Sequence, residues 1–539
     1  MIEDNVVCGG PLVDVPEHSS LGKYVIDKLR ENSNATNNLI LINADTSHTI
    51  TSKAMLQEIV NFAVGLRKMG VKRGDIVALS SENRNEFIIA VMAAICCGAT
   101  VTSINVLYTN DEIMNLLAIA QPKIACCSET SLKRHLDTFK VLPDLINIIQ
   151  LNGEPVDEGV ILYKDVMVTT DVKDYTPEDI EGSTDVAFIM YSSGTTGLPK
   201  GVMLTHLNVL CGVKMFNGPS REPYSTVLTV TPWYHVYGLL TTIEFIASNN
   251  LVVYFSEFNS QKYLNAIQEH KVEVLISVPP IVVFLAKSPL VASYDLSSVK
   301  LVWCAAAPLS AETTKLALKS LPNCKGILQG YGMTETTLAV IKDVDSIHFV
   351  QKPGSCGYPL PGVQAKVVDI KTKKNVGANQ KGEICLKSPS IMKGYLNNEK
   401  ATREIIDDNG YIKTGDIGYY DTDGCFFVVD RLKELIKYKG HQVAPALVES
   451  VILQHDAVAE CAVVGTPDEV AGELPTAFVM LKPNAQVTAD ELIRFADERL
   501  SPISRLRGGV IFVDKIPKNG SGKILRRELK LQHSLRNGF

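Results

Sequence analysis

The 539-residue chain has no CxxC pair, no strong excess of charge of either sign, and no apolar run long enough to span a bilayer. Each absence excludes a class of function. The 53 Lys and Arg residues against 59 Asp and Glu leave a net charge of −6, so the concentrated basic surface of a dedicated nucleic-acid binder is missing. One basic stretch, 523–536, is interrupted by Glu528. The twelve cysteines are scattered, with adjacent pairs at Cys96-Cys97 and Cys126-Cys127, and support neither a zinc site nor a disulfide framework. Free thiols in a chain of this size suit a reducing compartment. The amino-terminal segment lacks the basic start and apolar core of a signal peptide. The longest apolar run, residues 87–101, falls short of the roughly 18 residues of a membrane helix. A soluble cytoplasmic protein is the expectation. The peroxisome is the alternative compartment, although the terminal Arg536-Asn537-Gly538-Phe539 is not the Ser-Lys-Leu address.

What is present is a globular composition, 46% hydrophobic and 21% charged. The first third alternates short apolar strands (76–80, 100–105, 123–127) with helices (87–97, 111–120) joined by polar turns, which implies a parallel sheet covered on both faces. The same alternation returns at 264–269, 272–278 and 281–287. After about residue 350 the texture changes to short β-like stretches (364–369, 382–387, 424–429) separated by Gly, Asn and Asp turns. Beyond the charged stretch 430–434 lies a compact α+β pattern: helix 447–454, strands 460–464 and 476–481, helix 489–500, strand 510–513. A domain boundary is expected near Asp430–Lys433.

The strongest local signal follows the apolar strand 186–190. Tyr191 is succeeded by Ser192, Ser193, Gly194, Thr195, Thr196, Gly197, Leu198, Pro199, Lys200 and Gly201. Glycines allow backbone N–H groups to approach an anion, the hydroxyls add donors, and Lys200 adds charge, a combination suited to a polyphosphate. The spacing is not that of a Walker A loop, and an ordinary Gly/Ser/Thr surface loop is the plainer alternative.

That loop is followed in order by YGMTE (331–335), TGD (414–416), DRLKELIKYKG (430–440) and PKNGSGKILR (517–526). Together these motifs resemble the adenylate-forming superfamily of acyl-CoA synthetases, 4-coumarate–CoA ligases and beetle luciferases, from about residue 20 to 530. The resemblance implies a large amino-terminal α/β domain of parallel sheets with flanking helices and a small β-rich unit (1–430), a hinge (431–433) and a mobile small α+β domain (434–539). It also implies a two-step reaction. A carboxylate attacks the α-phosphate of ATP to give an acyl-adenylate and pyrophosphate, and coenzyme A then displaces AMP.

By the same resemblance, Ser192, Ser193, Gly194, Thr195, Thr196, Gly197 and Lys200 grip the nucleotide phosphates. Gln329, Gly330 and Tyr331 belong to the nucleotide-binding segment, with Tyr331 stacked on adenine. Thr334 bonds the α-phosphate, Thr196 and Glu335 hold Mg²⁺, and Asp416 with Arg431 takes the ribose. Lys523 bridges carboxylate and α-phosphate in the transition state, and rotation at the hinge replaces it with Lys437 and the segment of Gly440, His441 and Gln442 for the thiol step. His235 lies near the incoming carboxylate. Tyr237, Thr241, Phe284, Ala305, Ala306 and Leu338 line the acyl pocket.

Three departures bear on the substrate. Leu338 stands where beetle luciferases usually carry Ser, Leu328 where an Arg is expected, and Cys304-Ala305-Ala306-Ala307 where Ser-Gly-Gly-Ala is usual. A more apolar pocket suits an alkyl chain, so a fatty acyl-CoA synthetase is the expectation. Luciferase and 4-coumarate-type ligase are the alternatives. A non-enzymatic relative is disfavoured, because Lys523, Glu335 and Asp416 are all present.

Overall fold

The computed structural model describes residues 2–12, 15, 18–33, 38–192, 199–217, 224–307, 309–343, 352–439, 441–468, 470–519 and 522–537. Four sheets organise them. In the nine-stranded sheet, parallel strands run from Ile327–Gly332 through Leu301–Cys304, Val274–Ser277, Thr226–Thr229 and Leu251–Tyr254 to Leu39–Asn43. The eight-stranded sheet is parallel from Val186–Ser192 through Thr100–Ile104, Ile76–Ser80, Ile124–Cys127 and Asn147–Gln150 to Ile161–Leu162. Both sheets also carry antiparallel strands, including Ala339–Lys342 in the first and Lys200–Thr205 in the second. They are therefore mixed rather than purely parallel, as many large α/β sheets are.

One hydrophobic core joins the two sheets. Val77, Leu79 and Val101 of one and Val227, Val274 and Leu301 of the other belong to the same buried cluster, bridged by helices Asn85–Cys96 and Val236–Ala247. Both helices are apolar around most of their circumference, as a helix enclosed between two layers must be. The long apolar run in the sequence is thus a buried helix followed by a buried strand. Among the described residues, no helix is long and apolar enough to cross a membrane.

Helix boundaries follow local chemistry. Asn259 caps the helix Ser260–Glu269 by accepting from the Gln261 and Lys262 N–H groups. Proline in the first turn opens Pro279–Lys287 and Pro445–Ile452, so both begin two residues before the apolar pattern suggests. The β-rich unit is a six-stranded antiparallel sheet that includes Gln364–Val368, Gly382–Lys387, Ile412–Tyr420 and Phe426–Arg431. From Ile436 onward the chain forms a five-stranded sheet with helices Pro445–Ile452, Ala489–Asp497 and Arg526–Asn537. Its own core contains Ile436, Val448, Val463, Val479 and Leu492.

Arg526 anchors this last unit. Its guanidinium donates to Glu449 in bidentate fashion (2.7 and 2.9 Å), to Glu434 (3.0 Å) and to the Val463 carbonyl (3.2 Å). At the junction, Asp430 is buried and its carboxylate accepts from the Ala446 N–H at 3.0 Å, at the start of the helix Pro445–Ile452.

Candidate active site

The parallel strands of the nine-stranded sheet deliver the site at their carboxyl ends, where open α/β sheets place ligands. Near the end of the strand Ile327–Gly332 stands Tyr331, whose hydroxyl donates to Asp416 Oδ2 at 2.5 Å. Asp416 lies opposite Arg431 in the antiparallel pair of Ile412–Tyr420 with Phe426–Arg431, and Arg431 Nε is 3.4 Å from its Oδ1. Burial pushes the Asp416 carboxyl above its ordinary range, while Arg431 and the Tyr331 hydroxyl pull the other way. Gly332 needs to be glycine, because a Cβ there would lie 2.3 Å from the Leu338 carbonyl oxygen.

The turn Thr334–Thr336 follows. Glu335 is buried, and its Oε1 accepts the Tyr395 hydroxyl at 2.8 Å. The Met392 N–H holds the Glu335 carbonyl at 2.8 Å, so segment 392–395 braces Glu335 by main chain and side chain together. Lys200 Nζ lies 4.7 Å from the centroid of the Tyr395 ring.

On the acid side, His235 caps the helix Val236–Ala247: its Nδ1 accepts from the Tyr237 N–H at 3.3 Å. Burial, reinforced by Lys523, holds the imidazole down to about 4, so the ring is neutral at pH 7 and its proton sits on Nε2. A neutral N–H donor of this kind can bond a carboxylate or acyl oxygen. A cavity of about 260 Å³ opens beside it, lined by Thr231, His235, Tyr237, Phe258, Ile281 and Ala306 on the large unit, with Asn519 and Gly522 on the small one. Two segments of this region are held in unusual backbone conformations, with Ala306 at φ +76° and Thr337 at φ +71°. Strain in non-glycine residues concentrates at functional sites.

The loop carrying Lys523 closes this cavity from the other side. Lys523 N–H donates to Asn519 Oδ1 (2.8 Å) and its carbonyl accepts from the Asn519 N–H (2.9 Å), a tight loop. Gly522 has φ +80°, and an added Cβ would stand 2.9 Å from Pro280 Cγ. The ammonium is held down to about 8 by burial first and by Arg431 second, partly offset by Glu434 and Asp416. One cation therefore lies in electrostatic contact with both the acid-side His235 and the Asp416–Arg431 pair.

The sequence profile of the AMP-binding enzyme family matches residues 29–396, and that of the AMP-binding enzyme C-terminal domain matches residues 447–523. The chain belongs to the AMP-binding, adenylate-forming enzymes. This adenylate-forming enzyme is 37% identical to a luciferin 4-monooxygenase of Nipponoluciola cruciata over 542 residues, covering 98% of this chain and 97% of the relative. It is also 37% identical to 4-coumarate–CoA ligase 3 of Arabidopsis thaliana over 533 residues, covering 96% and 92%. Among solved structures it resembles the anthranilate CoA ligase AuaEII in complex with anthranoyl-AMP, with TM-score 0.87, 25% identity and coverage of 98% and 99%.

In this adenylate-forming enzyme the fold brings together Lys523, His235, Tyr237, Ala306, Tyr331, Asp416 and Arg431 around one cleft. Glu335, Ser192 and Lys200 meet at Tyr395, whose phenol also bonds the Ser192 hydroxyl. Thr334 sits half-buried beside Glu335. The Gln329 side chain accepts from the Leu309 N–H at 3.3 Å, and Gly330 packs against Ala339. Ser193, Gly194, Thr195, Thr196, Gly197 and Gly440 lie outside the described residues, and Gln442 is described only in its backbone. Lys437 and His441 occupy the hairpin of Ile436–Tyr438 with His441–Val443. The Lys437 N–H donates to Glu473 Oε2 at 2.8 Å.

The acyl-side expectations divide. Thr241 is buried and donates to the Tyr237 carbonyl at 2.5 Å, so its hydroxyl is engaged in the helix. Phe284 stands edge-on to Phe258, 5.9 Å away, behind the cavity wall. Leu338 is buried and Ala305 half-buried in the core behind the site. Tyr395 escaped the sequence reading because it lies 60 residues from its partner.

Proposed function

We propose that this enzyme is a fatty acyl-CoA synthetase: it activates an alkyl carboxylic acid with ATP through an acyl-adenylate and passes the acyl group to coenzyme A. The observation that supports this reading is the cavity between His235 and the Lys523 loop, whose lining includes Val230, Tyr237, Phe258, Val278 and Ile281 and which the cationic loop closes. The acid's carboxylate lies between the His235 Nε2–H and the Lys523 ammonium, its alkyl chain along Tyr237 and Ile281. Asp416 takes the ribose, Tyr331 the adenine, and Thr334 the α-phosphate. As charge develops on the phosphoryl group, Lys523 stabilises it without rearrangement, which is where a preorganised cation has most effect.

The donor set is compatible with Mg²⁺. Among the described residues no group of three or more His, Cys, Asp or Glu side chains could hold a metal, and Mg²⁺ bound to a nucleotide commonly needs only one or two carboxylates beside phosphate and water. Glu335 would hold the ion, which neutralises phosphate charge when bound. Tyr395→Phe is then expected to raise the Mg²⁺ concentration for half-maximal adenylation by about tenfold, the effect of removing a support behind a metal ligand. An unchanged Mg²⁺ requirement would remove that role from Tyr395. For the second step, the lobe beginning at 434 turns about 431–433 and presents Lys437, Gly440, His441 and Gln442 to the thiol, a gating motion of the hinge type.

The test is AMP formation dependent on ATP and CoA across fatty acids of increasing length, 4-coumarate and luciferin, with photon counting on the last. Turnover confined to fatty acids, in the dark, is expected. Light, or turnover confined to aromatic acids, would replace the substrate assignment and leave the adenylation chemistry standing.

A further inference from the structure

The β-rich unit has an outer face with no part in the proposed reaction. In the hairpin of Gln364–Val368 with Gly382–Lys387, the side chains of Ala365, Val367, Ile384 and Leu386 are buried in the core of the unit, so the alternate positions point outward. The register sets Lys366, Cys385 and Lys413 side by side across three strands, with Lys387 opposite Gln364 on the same face. Segment 364–387 holds six lysines (Lys366, Lys371, Lys373, Lys374, Lys381 and Lys387) against Asp369 and Glu383, a net of +4 in a chain of net −6. Lys366 is half-buried and the other five are exposed. Neither acid pairs with them. Glu383 Oε1 accepts the Gly415 N–H at 3.1 Å, and Asp369 Oδ1 accepts the N–H groups of Lys371 and Thr372 at 3.0 and 2.6 Å. Glu3 stands two strands from Lys366, at the edge of the sheet. Among the described residues, none of the six ammonium groups is in an ion pair. Lys366 and Lys387 instead converge on one ring, their Nζ atoms 3.8 and 5.8 Å from the Tyr411 centroid. Like charges gathered on neighbouring strands oppose folding. Lys373 adds to the cost by holding φ +58°, a left-handed position that glycine or asparagine fills more readily. A partner that brings negative charge offsets this repulsion.

We propose that this lysine face docks the enzyme on an anionic lipid surface. The distribution of charge selects the partner. With +4 on the hairpin, the rest of the chain carries −10, so a flexible polyanion long enough to wrap the protein meets repulsion beyond the hairpin. A planar surface touches one face only, and at physiological salt its charge is screened within about 8–10 Å. Each lysine near such a surface strengthens adsorption about fivefold. Lys413 lies three residues from Asp416 on the strand Ile412–Tyr420, so the docked face is about 10 Å along the strand from that carboxylate. Docking therefore brings the cleft near the lipid–water boundary, where a carboxylic acid with an alkyl tail collects. The docking itself does not depend on which acid the enzyme takes; its use in collecting an alkyl acid rests on the proposed fatty-acid reading.

The experiment sediments the full-length protein with vesicles of phosphatidylcholine alone, or with about 30% phosphatidylserine, at about 0.1 M and about 0.5 M salt. At low salt the wild type is expected to bind the anionic vesicles at least about tenfold more tightly than the neutral ones, and at high salt to lose that preference. The triple variant Lys366→Gln/Lys373→Asn/Lys387→Gln should bind the anionic vesicles at least about tenfold more weakly. Lys53→Gln/Lys315→Gln/Lys319→Gln, which removes the same charge from exposed positions elsewhere, should bind them nearly as the wild type does. AMP formation from an acid supplied free in solution should be equal in the hairpin variant and the wild type, whereas a long-chain acid supplied within anionic vesicles should turn over more slowly in the variant. Docking without turnover of any fatty acid would end the fatty-acid reading and leave the docking face standing. Equal binding of the wild type to neutral and anionic vesicles, or equal binding by the hairpin variant and the wild type, overturns the proposal. Displacement from the vesicles by polyuridylate at a matched concentration of charge would assign the face to nucleic acid and overturn it as well.

Discussion

Lys523→Ala is expected to slow formation of the acyl-adenylate by about 10²-fold or more while leaving thiolation of a supplied acyl-adenylate within a few fold. The size follows from removing a preorganised charge that acts mainly on the transition state. The selectivity follows from position, since Lys523 lies in the cleft with His235, Asp416 and Arg431, on a loop distinct from the Lys437 hairpin. Pyrophosphate release and single-turnover thiolation, measured separately, give the two numbers. Equal loss in both half-reactions would show that the loop supports the fold rather than the phosphoryl transfer. The wild type supplies a pH signature as well. Burial and Arg431 depress Lys523 to about 8, so its charged form is complete below that pH and is lost as pH rises through it. Adenylation by the free enzyme should fall across that window, and bound ATP, being anionic, should move the fall to higher pH. In Lys523→Arg, which cannot lose its charge there, the alkaline fall should disappear even if the rate is low.

The second large effect concerns stability. Arg526→Met should destabilise the carboxyl-terminal unit by about 3–5 kcal/mol, because it leaves a buried carboxylate without its cation. The side chains of Arg526 and Glu449 are 15% and 10% exposed, and the guanidinium satisfies Glu449, Glu434 and the Val463 carbonyl at once. Glu449 is additionally pinned by the Val463 N–H at 2.7 Å, so it cannot swing out to water without breaking the strand Val458–Asp468. Hydrogen exchange of that strand reads the loss locally, which a single melting temperature of a two-unit protein does not. The double variant Arg526→Met/Glu449→Met should recover most of the loss, as replacing a whole buried pair by apolar groups is often neutral. A single variant that exchanges like the wild type would mean that water already reaches the pair.

These two residues also mark what could be read from the chain alone. Lys523 and Arg526 stand in one short motif, and motif order with strand–helix alternation located them and the sheets that face them. Period-two and period-3.6 patterns report what is local and apolar, and the strands and helices of the large unit are both. The antiparallel strands Lys200–Thr205 and Ala339–Lys342 escaped because pairing direction is set by tertiary placement, not by pattern. Tyr395 escaped for a related reason: its function is one hydrogen bond to a residue 60 positions away. The positive φ of Ala306 is invisible in a run of three alanines.

The close fit of Gly522 against Pro280 has a bearing on tempo. The two units meet there with space for a hydrogen and not for a methyl group, so a side chain at 522 would weaken this arrangement against any other that the proposed hinge rotation allows. About 1.4 kcal/mol changes the ratio of two arrangements tenfold. On the proposed hinge rotation, the bulk of one side chain at position 522, which contributes no chemistry, would set how long the enzyme dwells in each half of the proposed cycle.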